Sequence, residues 1–346
     1  MHLKILPFRN ILIKKDFKII SWICLFIVFS IFMTMTLGII REYRNYKYMV
    51  NYFEEASKEY NKEDLIKQSR GSVTGYLKHM GRGSSLAQMI IIPLVLSILL
   101  FSEEKRNRTF EALSSMPFTK YEIFFNKLVL CFITIVIANL INIIFLFIVK
   151  GINKELGMLY SMKDIIFWSI RYVYIVLAFL SFFTLLSTIT GTTASFVVIS
   201  IIFLVFPISF PLLLKLNLGI WGVNSSILME IEKIGFRYNM FSIFDVNRLT
   251  LSIFIPLTIV FFIISIILFY KNKTERSGET LEFEKLEEFF TVGVTICTSL
   301  LFGLLSSDFS IGFGIDKFYL AIGYIVGGVL GYLAAYFSIK LNRVKG

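Results

Sequence analysis

The chain has 346 residues, of which 56% are hydrophobic, and its mean hydropathy is +0.75. A soluble domain is usually about 45–50% apolar, so this composition excludes an ordinary soluble protein and indicates a membrane protein. The net charge of +11 does not indicate nucleic-acid binding, because the basic residues flank apolar runs, where Lys and Arg set membrane orientation and contact anionic lipids.

Eight apolar runs are long enough to cross a hydrocarbon core of about 30 Å, which takes about 20 residues in a helix. They are too long and continuous to be barrel strands. We therefore predict an all-α membrane protein, a polytopic bundle of eight transmembrane helices. The predicted spans are 19–40, 86–102, 128–149, 165–188, 192–214, 251–270, 289–306 and 317–339.

The first residues, 1–18, are basic and predict a short helix on the inner leaflet. The first span follows them and is too long for a signal-peptide core, so we interpret it as a retained anchor. The 41–85 loop comes next and is predicted to lie outside. It is either a small solvated cap, or an outer gate or ligand-sensing surface.

The segment 102–127 is a charged block between the second and third spans. Thr109 is predicted to begin a short amphipathic helix, Pro117 to end it, and a second helix to begin at Thr119. Two short helices at the water boundary suit a docking surface for a soluble partner. The alternative is a solvated loop with ordinary ion pairs such as Glu104 to Arg108. The block opens with the charged cluster Glu103, Glu104, Lys105, Arg106 and Arg108.

This segment resembles the cytoplasmic coupling segment of ABC-2 type transporter permeases. In that family the segment typically has an acidic and a basic residue, then Gly-Thr, then Leu and, a few residues later, Pro. A helix that begins with basic and acidic residues follows. Here Arg108 stands where Gly is common. The layout of the first six apolar runs is also similar. The matching residues are the Glu-Lys-Arg cluster, Thr109, Leu113, Pro117, Lys120 and Glu122.

The resemblance implies that segment 102–127 docks the ATPase subunits of an ABC transporter. Glu103, Glu104 and Arg106 would make charged contacts, and apolar side chains between Thr109 and Pro117 would form a knob. The implied docking residues are Glu103, Glu104, Arg106, Thr109, Phe110, Leu113, Pro117 and Glu122.

The resemblance also implies a domain organisation. Residues 1–270 would form the ABC-2 six-helix core, and the outer segment 215–250 would contain re-entrant helices. Residues 271–346 would add an inner linker and a C-terminal transmembrane hairpin, which resembles the Ytr-type subgroup of these permeases. Within that hairpin, small residues at packing-compatible spacing predict a close helix contact. These residues are Gly327, Gly328 and Gly331.

A few polar residues lie inside predicted spans. Asn139 and Asn142 are three apart and share a helix face, so they either make interhelical hydrogen bonds or line a substrate path. Arg171 either reaches the outer interface by extending its side chain or faces the bundle interior, where it would attract an anionic head group or pair with an acid and belong to the substrate path with the two asparagines.

The Lys and Arg distribution favours a cytoplasmic N-terminus once the 41–85 loop, with nine of these residues, is discounted as long. The resemblance to a coupling segment implies the same orientation. We therefore predict a multi-pass protein of the cell membrane with both termini cytoplasmic.

The sequence contains no phosphate loop and no Gly-Lys pair, so we predict no catalytic residues and no ATPase activity in this chain. We predict no metal site and no bound cofactor, since the three cysteines lie in separate apolar runs without CxxC spacing. ATP and Mg²⁺ would bind to a partner subunit. The expected partners are ABC ATPase subunits, a second permease subunit and membrane lipid, but not nucleic acid.

These features favour the permease subunit of an ABC exporter, with a homodimer or heterodimer left open. Mostly apolar spans favour an amphipathic or lipid-like substrate, and the expected cargo is an amphipathic, lipid-like, peptide or antibiotic molecule. The alternative is an ion-coupled secondary carrier, but such carriers usually place acids in mid-span, and these are missing here. An intramembrane enzyme or assembly factor ranks last, because no nucleophile or metal constellation is evident.

Overall fold

The structure is a computed structural model that describes residues 10–55, 61–79, 83–106, 118–244, 248–272, 276, 278–308 and 316–341. Eight helical stretches within these ranges are long and apolar enough to cross a membrane. The predicted all-α polytopic fold is therefore confirmed. The helices are α1 Asn10–Ile31, α2 Leu37–Glu55, α3 Lys62–Lys78, α4 Gly83–Ser97, α5 Glu103–Arg106, α6 Lys120–Ile152, α7 Lys154–Met158, α8 Met162–Ile189, α9 Thr193–Ile220, α10 Ser225–Arg237, α11 Arg248–Lys271, α12 Glu284–Asp308 and α13 Asp316–Leu341.

The first span is far longer than the sequence predicts. A π-helical turn, Phe32–Thr36, joins α1 to α2, and the candidate span runs from Ile13 to Glu55 over 43 residues. Residues 10–18 therefore continue the span, and a separate helix on the leaflet is wrong for them; residues 1–9 lie outside the described part. The helix continues past 40 because Ile39 and Tyr46, seven residues apart on one face, are both buried.

The 41–85 segment is mostly helical where the structure describes it. Its first part continues α2, and its second part forms α3, which begins at Lys62 with Asn61 as the N-cap residue. The Asn61 side chain accepts a hydrogen bond from the Glu63 amide, as expected of a helix N-cap. The choice between a solvated cap and an outer gate stays a prediction.

By spatial clustering the chain divides into two compact units. The first unit comprises Met1–Leu100, Phe118–Phe183 and Ile243–Ile266, and the second comprises Phe101–Pro117, Thr184–Ser242 and Ile267–Gly346. In the first unit α1 packs against α6. The buried apolar residues Ile20, Ile27 and Ile31 recur on one face of α1 at helical spacing.

The second unit contains two helix pairs, α9 with α10 and α12 with α13. Lys215 binds Glu232 at 2.5 Å, while a Cβ added to Gly235 would lie 2.9 Å from the Pro207 carbonyl. Later residues of α10 therefore meet earlier residues of α9, so α10 runs back antiparallel along the end of α9. This geometry suits the predicted re-entrant helix, although its depth in a bilayer stays a prediction.

The hairpin of α12 and α13 is packed through glycine. A Cβ on Gly327 would lie 2.5 Å from the Thr298 carbonyl oxygen, and one on Gly331 would overlap the Thr298 side chain. Gly328 differs, because its nearest atom would be Ser299 Oγ at 3.9 Å. The predicted close contact is confirmed for Gly327 and Gly331, and Gly328 does not take part in it.

Candidate docking site

The segment 102–127 is described only at its two ends. At the first end α4 passes through a π-helical turn, Ile98–Ser102, into α5. Glu103 is partly exposed there, whereas Glu104 is only 8% exposed and offers little surface to a partner. Arg106 is helical, but its side chain lies outside the described part. The other predicted docking residues outside the described part are Thr109, Phe110, Leu113 and Pro117.

At the second end a capping box begins α6. The Glu122 amide donates to Thr119 Oγ1 at 3.2 Å, and the Thr119 amide donates to Glu122 Oε2 at 2.8 Å. The predicted helix start at Thr119 is therefore confirmed. Because Glu122 satisfies backbone groups of the first turn, its carboxylate fixes where the helix begins.

Lys105, which had no role in the sequence analysis beyond its charge, is fully buried. Its Nζ donates to three oxygens of the second unit, the Ser187 carbonyl at 2.8 Å, the Thr190 carbonyl at 3.0 Å and Glu282 Oε2 at 2.8 Å. The side chains of Lys105 and Glu282 are each 1% exposed. An ammonium group has three donors, so these contacts use all of them.

The linker residues 278–282 lie across the tight turn between α8 and α9. The Gly191 amide donates to the Glu279 carbonyl at 3.1 Å, and the Gly278 amide donates to the Gly191 carbonyl at 3.2 Å. The Glu282 amide donates to the Ile189 carbonyl at 2.9 Å. We call this arrangement the clamp, defined as residues 278–282 together with Lys105 and Gly191.

Two glycines make the clamp possible. A Cβ on Gly191 would lie 2.5 Å from the Glu279 carbonyl oxygen and 2.9 Å from its nitrogen, so only glycine permits this approach. Gly278 has φ +106°, a left-handed conformation that side chains with a Cβ rarely adopt. The turn and the linker are therefore held together by backbone geometry as well as by charge.

The acidic groups of the linker are themselves held in place. Burial raises the pKa of the Glu282 carboxyl, and Lys105 opposes that rise by favouring the charged form. Asn272 Nδ2 also donates to Glu282 Oε2. Arg276 binds Glu279 at 2.6 Å and Glu287 at 2.7 Å, so the guanidinium joins the linker to the first turn of α12.

A second buried lysine lies at the other end of the segment, in the first unit. Lys127 is 2% exposed, and its Nζ donates to the carbonyl of Leu100 in the π-helical turn. A buried ammonium group is costly unless it is hydrogen-bonded, so Lys127 fixes the position of α6 against that turn.

The predicted substrate-path residues are buried and hydrogen-bonded within the first unit. Asn139 Nδ2 donates to Ser169 Oγ at 2.9 Å, and Asn142 Nδ2 donates to the Val28 carbonyl at 3.2 Å. The two amides share a face of α6, as predicted, but bind different neighbouring helices. These are the interhelical bonds expected from one of the two interpretations, and a role in substrate passage stays a prediction.

Arg171 is 9% exposed, so its side chain points into the first unit instead of extending to water. Its Nη1 donates to the Lys78 carbonyl at 2.6 Å, and its Nη2 donates to the Phe244 carbonyl at 2.5 Å. These carbonyls end α3 and the 3₁₀ helix Met240–Phe244, where the helix dipole is negative. Arg171 therefore ties two helix ends to α8.

The change Arg171→Lys is expected to destabilise the protein by about 2–3 kcal/mol, nearly as much as Arg171→Met. A lysine keeps the charge, but it cannot reach two separate carbonyls with the fork of a guanidinium, and hydrogen bonds to charged groups contribute about 1.5–3 kcal/mol. The thermal unfolding midpoint of the detergent-purified variants measures the effect. An Arg171→Lys midpoint equal to the unmodified protein would show that charge alone is needed.

The fold defines a multi-pass helical membrane protein. A charged segment, 102–127, lies between its second and third spans, and buried lysines hold both ends of that segment in place. Residues 85–246 match the family model of the ABC-2 family transporter protein. The predicted ABC-2 permease family is thereby confirmed over residues 85–246, which form an ABC-2 transporter domain, and the narrower Ytr-type subgroup stays a prediction. This family implies association with an ABC ATPase. Comparison with curated proteins and with solved structures gives no match.

Proposed function

We propose that this chain is the permease subunit of an ABC exporter in the cell membrane, with both termini cytoplasmic. A separate ATPase subunit would dock on segment 102–127, and a second permease subunit would complete the pathway. ATP and Mg²⁺ would bind the partner, because this sequence has no phosphate loop. Export of an amphipathic substrate agrees with spans that are mostly apolar.

One observation carries the docking proposal. Glu103 is partly exposed on a helical turn whose next two residues are buried, since Glu104 is 8% exposed and Lys105 is bound by three oxygens. A charged group on a fixed backbone is the kind of contact that can transmit force from a partner. ATPase closure would then push this turn and tilt the spans attached to it.

Charge reversal tests the docking site. Glu103→Lys is expected to weaken binding of the purified ATPase subunit about tenfold, equivalent to about 1.4 kcal/mol. Glu104 is a poorer choice, because changing a buried side chain would also disturb the fold. The matched control is Glu230→Lys, an acid-to-base change on the exposed face of α10. Three spans, α6, α8 and α9, separate Glu230 from Glu103, so the proposed topology places the two residues on opposite sides of the membrane.

The measurement is the dissociation constant of the two purified subunits together with ATP hydrolysis by their complex. Equal weakening by both variants would indicate a general charge effect. Substrate transport by the chain alone, driven by an ion gradient and unaffected by Glu103→Lys, would support the secondary carrier and overturn the proposal.

A further inference from the structure

The clamp brings a second segment of the chain to the start of the docking segment. Lys105 is the third residue of α5, and its ammonium group is bound to Glu282, two residues before α12 begins. Both residues belong to the second unit. Glu103 and the first turn of α12 are therefore attached to one buried ion pair and cannot move independently of it.

The first turns of α12 present charge to the surroundings. The Glu284 side chain is 77% exposed although its Oε1 lies 3.4 Å from Arg276 Nη1, and Lys285 and Glu288 are exposed as well. Glu287 is turned towards Arg276, which binds it at 2.7 Å. The exposed side chains of residues 284–288 are thus acidic on balance, with two carboxylates against one lysine.

This charge also indicates what the surface contacts. A cytoplasmic leaflet is rich in anionic lipid, so an acidic surface is repelled by it and does not serve as a lipid-binding patch. A soluble protein with basic side chains at its contact face is complementary to it.

We propose that Arg276 and residues 278–288 form the second part of the docking surface for the same ATPase subunit. The Lys105 to Glu282 pair acts as a positioning element that keeps this part in register with Glu103, and the facing surface of the ATPase presents Arg and Lys. This inference rests on the proposed function, because it assigns a further surface to the same partner.

The clamp gives the surface a fixed geometry, which lowers the entropy lost on binding. Without it, the linker would be held at the ends of α11 and α12 and by the hydrogen bond from Thr280 Oγ1 to the Ser338 carbonyl, but not to α5. The acidic turn would then contribute little to affinity, even with its charges intact. The surface charges and the clamp are therefore expected to act non-additively.

The first experiment reverses the surface charges. Glu284→Lys/Glu288→Lys is expected to raise the dissociation constant of the purified ATPase subunit about tenfold and to reduce its salt dependence. The control is Glu54→Lys/Glu55→Lys, two exposed acids at the C-terminal end of α2, where lysine is favourable for the helix. The control is expected to change the constant less than twofold.

The second experiment disrupts the clamp and keeps the surface charges. Gly191→Ala disrupts the backbone contacts between the linker and the turn, and Lys105→Met/Glu282→Met removes the ion pair that joins the linker to α5. In both backgrounds Glu284→Lys/Glu288→Lys is expected to weaken binding less than twofold further. Size-exclusion chromatography shows whether each variant is folded. If only one of the two backgrounds folds, the binding result from that background is enough to test the inference.

The outcomes separate the two proposals. If Glu103→Lys weakens binding and the linker charges do not, the further surface is overturned and the docking segment stands. If neither Glu103→Lys nor the linker variant changes the dissociation constant, the docking proposal fails as well. If the linker variant changes the oligomeric state of the chain while ATPase affinity is unchanged, the acidic surface contacts a second permease copy, which also overturns the inference.

Discussion

Lys105→Met is expected to destabilise the protein by about 3–5 kcal/mol, the cost typical of removing one partner of a buried ion pair. The change leaves the Glu282 carboxylate buried without its cation and the carbonyls of Ser187 and Thr190 without a donor. The thermal unfolding midpoint of the detergent-purified protein measures the effect.

The control for this prediction is the double variant Lys105→Met/Glu282→Met. Replacing a whole buried pair by apolar side chains of similar size is often neutral, because no charge then stays buried. The double variant is therefore expected to unfold well above the single variant. If both unfold at the same temperature, the ion pair is not what holds the linker to this site.

Gly327→Ala is expected to destabilise the C-terminal hairpin by about 1–3 kcal/mol through overpacking. The new Cβ would lie 2.5 Å from the Thr298 carbonyl and 2.6 Å from Phe302 Cβ, so α12 and α13 would have to separate. The adjacent change Gly328→Ala meets no atom closer than 3.9 Å. It is expected to be neutral or slightly stabilising, because alanine favours a helix more than glycine does.

Thermal unfolding of the two neighbouring variants under identical conditions checks this prediction. The two changes have the same chemistry and differ by one position on α13, so the helix propensity gained is the same in both. A lower midpoint for Gly328→Ala than for Gly327→Ala would contradict the packing of the hairpin.

The predicted spans were recovered because long apolar runs determine helices in a membrane, where every backbone group must be bonded within its segment. The helix start at Thr119 was also predictable, since a capping residue and Glu122 are close in sequence. The ends of the first span were not predictable from the sequence. Polar residues after 40 continue the helix, because Tyr46 finds a buried position that composition does not reveal.

The clamp could not be predicted from the sequence. Lys105 and Glu282 are 177 positions apart. Each lies among other charged residues, and nothing in the sequence distinguishes the buried charge from its exposed neighbours. Arg171 presents a related difficulty, since its partners are backbone carbonyls, which any residue could supply. A charge that lies within an apolar run signals burial but does not identify its partner.

The 43 residues of the first helical stretch extend about 64 Å at 1.5 Å per residue, whereas a bilayer with its head groups is about 40–45 Å thick. A stretch of that length either extends beyond the head groups or bends between its two parts, and a π-helical turn such as Phe32–Thr36 is a common place for a helix to bend.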